Sequence, residues 1–269
     1  MQAIDQTQER RAKVDRRDTD PARIGAELLA AIDGDQLEIL FQPQFAAADD
    51  RLVGAEALAR WHHPARGRIG VGPLFEMAER TGQVPLLSRH LVGKALNAAV
   101  AWRVPLRLSL NVTAADVAAG NFAETIMAAV ADAGFPPEHL VLEITEQVLV
   151  TDLAGSAVQL GRIAELGVGI ALDDFGAGFC NFHYLKCLPL QFLKLDRSMI
   201  DGIDEDPRDL AVLRGILTMA HALGLEVTAE GIEREAQRAV IAREGCTSWQ
   251  GFLGAAPMTA AEFAVLAQH

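Results

Sequence analysis

The sequence predicts an α/β protein closed into a single (β/α)8 barrel. Eight short apolar segments of strand character alternate with segments of helical spacing. The alternation fills roughly 250 residues, an ordinary length for such a barrel. Polar residues also interrupt the strands near their C-terminal ends, where a parallel barrel builds its site. A doubly wound open sheet is the alternative, because alternation alone does not separate the two.

The elements follow in order. Residues 1–20 carry five basic and five acidic side chains and few large apolar ones, the composition of a solvated arm. Residues 1–22 are therefore read as a linker or N-terminal arm, and 23–269 as the folded domain. The strand candidates are 37–44, 52–58, 106–112, 140–146, 169–174, 191–196, 225–231 and 246–251. Between them, Leu210, Leu213, Ile216, Leu217, Ala220 and Leu223 share one face of a helix over 207–223. Asp206-Pro207 supplies its N-cap and first-turn proline, and Gly224 follows its end. Gly82, Gly134 and Gly167 sit where helices should stop. Thr259 and Glu262 have the spacing of a capping box for the last helix.

Composition narrows the function. The formal net charge is −12 over 269 residues, which excludes a duplex nucleic-acid binder working through a broad basic surface. A phosphate ligand would need a local device such as a metal, a helix N-terminus or a few placed cations. Cys180, Cys187 and Cys246 are too few and too scattered for a disulfide framework or a thiolate zinc site. No apolar run approaches the ~18 residues of a membrane span, and the first residues lack a signal-peptide apolar stretch. A cytoplasmic protein is the expectation.

The chemistry lies in where the polar residues fall. Glu56 interrupts the strand at 52–58, Asn111 and Asp173-Asp174 close theirs, and Glu143 and Lys194 sit inside apolar runs. Glu230 and Gln250 stand at the ends of the last two strands. One buried carboxylate has a bland explanation in an edge position or an ion pair. Several converging on one barrel mouth repel each other unless cations neutralise them. Oxygen donors with one amide and no thiolate point to Mg²⁺ or Mn²⁺. Adjacent aspartates suit two ions ~3.5–4 Å apart, with one carboxylate bridging. A lysine there orients a water or steadies charge on a phosphoryl oxygen. These features suggest metal-assisted hydrolysis of a phosphate ester without naming it. An Mg²⁺-dependent barrel lyase also uses strand-end acids and a lysine.

Other motifs carry less. Asp174-Phe175-Gly176 matches a kinase tripeptide, but the glycine-rich loop and His-Arg-Asp are missing. Asn111-Val112-Thr113 matches a glycosylation sequon in a chain with nothing to route it to secretion. His62 and His63 are adjacent rather than helically spaced, and His63-Pro64 reads as a loop-shaping pair.

Glu56-Ala57-Leu58 followed by Ala59-Arg60-Trp61 resembles the signature of EAL domains, the cyclic-di-GMP phosphodiesterases. Gln42-Pro43-Gln44, 73–82, Asn111, Glu143 to Glu146, Asp173 to Gly176, Leu193 to Asp196, Ala229 to Glu233 and Gln250-Gly251 follow in the family's order. The resemblance covers roughly residues 23–265. It implies a variant TIM barrel whose first strand runs antiparallel to the rest. It also implies Mg²⁺- or Mn²⁺-dependent hydrolysis of cyclic-di-GMP to linear pGpG. On that resemblance Glu56, Asn111, Glu143 and Asp173 bind one ion, and Asp173 bridges to a second served by Asp174 and Glu230. Lys194 holds the attacking water, Arg60 steadies a phosphate, and Gln42 and Gln250 contact a guanine or ribose. Glu233 positions groups around the site, and Glu146 anchors the loop after Asp174. The implied partners are cyclic-di-GMP, a second copy in a homodimer, and an upstream sensory or GGDEF-type domain outside this chain. That loop usually reads Gly-Thr-Gly-Tyr-Ser-Ser, where this chain has Gly176-Ala177-Gly178-Phe179-Cys180-Asn181. A weakly active or inactive domain acting as a cyclic-di-GMP receptor is the alternative function.

Overall fold

The computed structural model describes residues 20–146, 152–178 and 182–268. Residues 1–19, within the expected arm, and Phe179, Cys180 and Asn181, in the departing loop, lie outside them.

Helix α1 (Pro21–Asp33) starts at an Asp20 N-cap with proline in its first turn. Strands β1 (Leu37–Ala46) and β2 (Leu52–His63) then form an antiparallel hairpin, which β3 (Gly67–Ile69) extends antiparallel to the end of β2. Helices α2 (Val71–Thr81) and α3 (Val84–Ala99) follow, then β4 (Arg107–Asn111). Next come α4 (Ala114–Ala118), α5 (Phe122–Ala133), β5 (Leu140–Thr145), α6 (Leu153–Glu165) and β6 (Gly169–Phe175). The chain continues through α7 (Tyr184–Cys187), β7 (Phe192–Leu195), α8 (Pro207–Ala222) and β8 (Glu226–Ala229). It ends with α9 (Glu235–Glu244), β9 (Ser248–Trp249), β10 (Met258–Thr259) and α10 (Ala260–Leu266).

Strands β2, β4, β5, β6, β7, β8 and β9 pair in parallel in that order. Strand β1 closes the ring, antiparallel to both β2 and β9. The result is a closed eight-stranded barrel with its first strand reversed, which excludes the open sheet. The seam between β1 and β9 is short, at Phe45–Trp249 and Ala46–Ser248, and β10 takes over at Leu40–Thr259 and Phe41–Met258. Pro43, which has no N–H to donate, falls in the gap between these two ladders. Neither β3 nor β10 was expected from the sequence, since two- and three-residue strands have no periodicity to read.

Alternation along each strand sorts the residues. One set faces the surrounding helices and makes the core: Leu108 and Leu110 on β4, Leu140, Leu142 and Ile144 on β5, Ile170 and Leu172 on β6, and Leu193 and Leu195 on β7, all buried. Leu87, Leu91, Ile126, Leu160, Leu213 and Val240 meet them from the helices. Truncating one such leucine to alanine costs about 2–5 kcal/mol. Phe41 packs against Trp102 and Phe263, which ties α10 to the closing strand. The other set points into the barrel and is largely polar.

The expected caps are present. Asp206 accepts from the Arg208 N–H, and Thr259 and Glu262 form a reciprocal capping box. Gly82 and Gly134 end α2 and α5 in left-handed conformation. On α8, Leu213, Leu217 and Ala220 are buried, but Leu223 lies past the last turn and is exposed. Among the described residues no helix is long and apolar enough to cross a membrane.

Candidate active site

The interior positions near the parallel strands' C-terminal ends converge on Lys194. Its Nζ lies 2.7 Å from Glu143 Oε2, 2.8 Å from Glu230 Oε1, 3.1 Å from Asp173 Oδ1 and 3.3 Å from Glu56 Oε2. Lys194 is 2% exposed and Glu143 1%, so solvent screens little of this cluster. Asn111 donates to Glu56 Oε1 at 2.8 Å. Gln250 Nε2 donates to Glu56 Oε2 and Glu230 Oε1, both at 2.8 Å.

Burial alone would drive the Lys194 ammonium toward neutrality, but the surrounding carboxylates override it and hold its pKa well above the ordinary value. Burial pushes Glu143 far up, against the lowering pull of Lys194. Burial likewise raises Asp173, and raises Glu230 to about 8. Glu56 goes the other way: burial opposes ionisation, and Lys194, Gln250 and Asn111 together outweigh it. One ammonium does not neutralise the acids gathered around it.

Asp174 depends on the backbone. Regular alternation would turn it out toward the helices, opposite to Asp173. Between β6 and β7 the register steps three residues on one strand, Leu172 to Phe175, against two on the other, Leu193 to Leu195. Asp174 sits in this bulge at φ 54°, and its N–H donates to Asp173 Oδ1 at 2.9 Å. Both carboxylates of the pair are thereby turned toward the mouth. Partial burial and the charge of Asp173 raise the Asp174 pKa.

The carboxylates fall into two sets. Glu56, Glu143 and Asp173 each offer an oxygen within 4.8 Å of the others, and so do Asp173, Asp174 and Glu230. Asp173 belongs to both. Among the described residues, Glu143 Oε1 is buried and accepts no hydrogen bond. An orphaned carboxylate oxygen in a surplus of negative charge fits a cation, and an all-oxygen set fits Mg²⁺ or Mn²⁺.

The remaining expected residues are placed as follows. Gln42 lies opposite Glu56 in the β1–β2 ladder. Arg60, four residues beyond Glu56 on the same strand face, lies toward the mouth with Nη1 donating to Ala59 O at 2.8 Å. Glu233 is held in a two-pronged pair by Arg197, at 2.6 and 3.1 Å. Glu146 follows β5 and is half-buried. His63 shapes its turn, its Nδ1 accepting from the Ala65 and Arg66 N–H groups. Thr113 of the sequon caps α4. Two residues were missed by sequence reasoning. Arg197 has no local signal. Gln44 had one, since it lies two positions after Gln42 and therefore on the same face.

The EAL domain family model matches residues 26–257. The bifunctional diguanylate cyclase/cyclic di-GMP phosphodiesterase MucR of Pseudomonas aeruginosa is 34% identical over 238 residues, covering 87% of this chain and 35% of its own length. The cyclic di-GMP phosphodiesterase NbdA of the same organism is 34% identical over 246 residues, covering 90% of this chain and 31% of its own. This chain thus spans about a third of the length of these curated relatives. The structure of the PaMucR phosphodiesterase in complex with c-di-GMP superposes with a TM-score of 0.82 at 33% identity, covering 90% of this chain and 99% of that one. An EAL domain protein from Listeria monocytogenes gives 0.77 at 26% identity, covering 90% and 96%. Barrel topology, site and these matches agree, and the chain belongs to the EAL domain family.

Proposed function

We propose that this chain hydrolyses cyclic-di-GMP to linear pGpG in a reaction dependent on Mg²⁺ or Mn²⁺. The observation that carries the proposal is the pair of acidic sets sharing Asp173, with the unpaired Glu143 Oε1 in one of them. Glu56, Asn111, Glu143 and Asp173 would hold one ion, and Asp173, Asp174 and Glu230 the other. Two divalent cations supply Lewis-acid activation of water and neutralise charge on the phosphodiester.

The protein's own groups do the rest. Among the described residues Lys194 is the only cation at the cluster's centre, and its raised pKa makes it a donor rather than a base at neutral pH. Its Nζ holds the attacking water oxygen. Water adds to phosphorus as the P–O3′ bond breaks, leaving a 5′-phosphate and a free 3′-hydroxyl. Arg60, toward the mouth, steadies the phosphate, and Gln42, level with Glu56, faces a guanine or ribose. Glu233 is set by Arg197 at the rim. A homodimer, and an upstream domain of the sensory or GGDEF type, belong to the same reading. The much greater length of the matched relatives supports the latter.

The test is to incubate the protein with cyclic-di-GMP and Mg²⁺ or Mn²⁺, with a chelator control, and separate the nucleotides. Metal-dependent pGpG supports the proposal. Intact nucleotide retained by the protein makes the chain a receptor, and intact unbound nucleotide removes the site assignment.

A further inference from the structure

We infer that Gln44 is a positioning residue, locking the Gln250 amide so that its two hydrogens bridge the two carboxylate sets; the inference rests on the site reading proposed above. Gln250 is 5% exposed, and its Nε2 reaches Glu56 in one set and Glu230 in the other. Glu56 also accepts from Asn111 Nδ2 and Lys194 Nζ, so it is the NH2 end of the amide that faces it. That leaves Gln250 Oε1 pointing away, and Gln44 Nε2 donates to it at 3.1 Å. All the hydrogen-bonding directions of the Gln250 amide used here are thereby fixed by three partners.

The backbone explains why Gln44 occupies this place. Phe45 pairs with Trp249 where β1 closes on β9, and the antiparallel register would next set Gln44 opposite Gln250. Regular alternation turns Gln250 N–H to Ala229 O on β8, at 2.9 Å, and the next β1 residue due to bond β9 is Pro43, which has no N–H, so the backbone ladder stops. The two side-chain amides join across the seam where the main chains do not. Gly54 lies opposite Gln44 on β2 and leaves room for it, since a Cβ there would stand 3.1 Å from Gln44 Oε1 and 2.7 Å from Arg107 O. Groups that orient ligands without touching the ion are worth about 10–100-fold in metal affinity or activity.

Two measurements test this on the full chain. The first is the exchange rate of the Gln250 side-chain amide protons by NMR in metal-free protein, with the signals assigned from a Gln250→Met spectrum. The second is Mn²⁺ affinity by titration without nucleotide. In the wild type the Gln250 protons should be protected. In Gln44→Met they should exchange at least about tenfold faster, and Mn²⁺ affinity should fall by about 10–100-fold. Gln44→Glu keeps the shape, turns the donor into an acceptor, and should lose at least as much. In a Gln250→Met background, Gln44→Met should change Mn²⁺ affinity less than twofold. A role in packing alone would lower the melting temperature and leave exchange and affinity unmoved. Gln250 exchange and Mn²⁺ affinity within about twofold of wild type in both Gln44 variants would overturn the inference. If the wild type binds no Mn²⁺, the two-ion reading fails, and the metal-free exchange rates alone decide the role of Gln44.

Discussion

Replacing Lys194 with methionine removes one positive charge and keeps most of the side chain's length. In the metal-free protein that charge contacts Glu56, Glu143, Asp173 and Glu230. Removing one partner from a buried ion cluster costs about 3–5 kcal/mol, because the other charges stay buried and uncompensated. For a chain of this size each kcal/mol shifts the melting temperature by roughly 2–4 °C, so Lys194→Met should melt about 6–20 °C lower in chelator at pH 8. The deficit should shrink toward pH 5, because Glu143, Asp173 and Glu230 have raised pKa values and protonate first. Saturating Mn²⁺ should nearly close it by supplying the missing positive charge. Turnover of cyclic-di-GMP should stay down by about 10²–10⁴-fold with Mn²⁺ bound, the range for losing a positioned proton-transfer or water-holding group. Melting curves with chelator and with Mn²⁺, at both pH values, read the first part. A variant that melts with wild type in chelator at pH 8 would refute the neutralising role. So would a deficit that Mn²⁺ leaves unchanged.

Glu56→Ala should keep the circular dichroism spectrum and lose more than about 100-fold in turnover, since a ligand matters more than the groups that orient it; wild-type rates would remove the metal assignment. Metal-free wild type should lose stability as pH rises from 4.5 to about 8, because folded Glu230 holds a proton to about 8 and the unfolded residue releases it near 4.5. Melts in chelator that stay flat or climb across that window would contradict this. Asp174→Asn should bind one Mn²⁺ instead of two with near-normal stability, while Asp174→Val should also lose about 1–3 kcal/mol to backbone strain at φ 54°. Equal stability of the two variants would show that the bulge is not strained by a branched side chain.

Glu56, Glu143 and Lys194 are legible in the sequence because each is a charged residue inside an otherwise apolar strand. Strand order and helix ends follow from equally local signals, such as Asp206-Pro207 and Gly134. The antiparallel first strand came from the resemblance, because alternation does not encode direction. What stayed hidden depends on register between distant segments. Gln44 meets Gln250 because the Phe45–Trp249 pairing of β1 with β9 sets the two side by side. Arg197 meets Glu233 across 36 positions of chain. The amide of Gln250 reads from sequence as a substrate contact; its donation to Glu56 and Glu230 depends on packing that the sequence does not show.

The bulge at Asp173 and Asp174 bears on how relatives of this chain diverge. A strand's parity is a count, and one surplus residue shifts it. If the same residues ran in regular register against β7 at this point, Asp174 would face the helices with its charge intact and its sequence unchanged. The second set would then lose a donor while the first, Glu56, Asn111, Glu143 and Asp173, stayed whole. On the two-ion reading proposed above, the second ion would be lost without replacing a single acidic residue, through the spacing of main-chain hydrogen bonds. Two chains with the same letters at every ligand position need not share a coordination number.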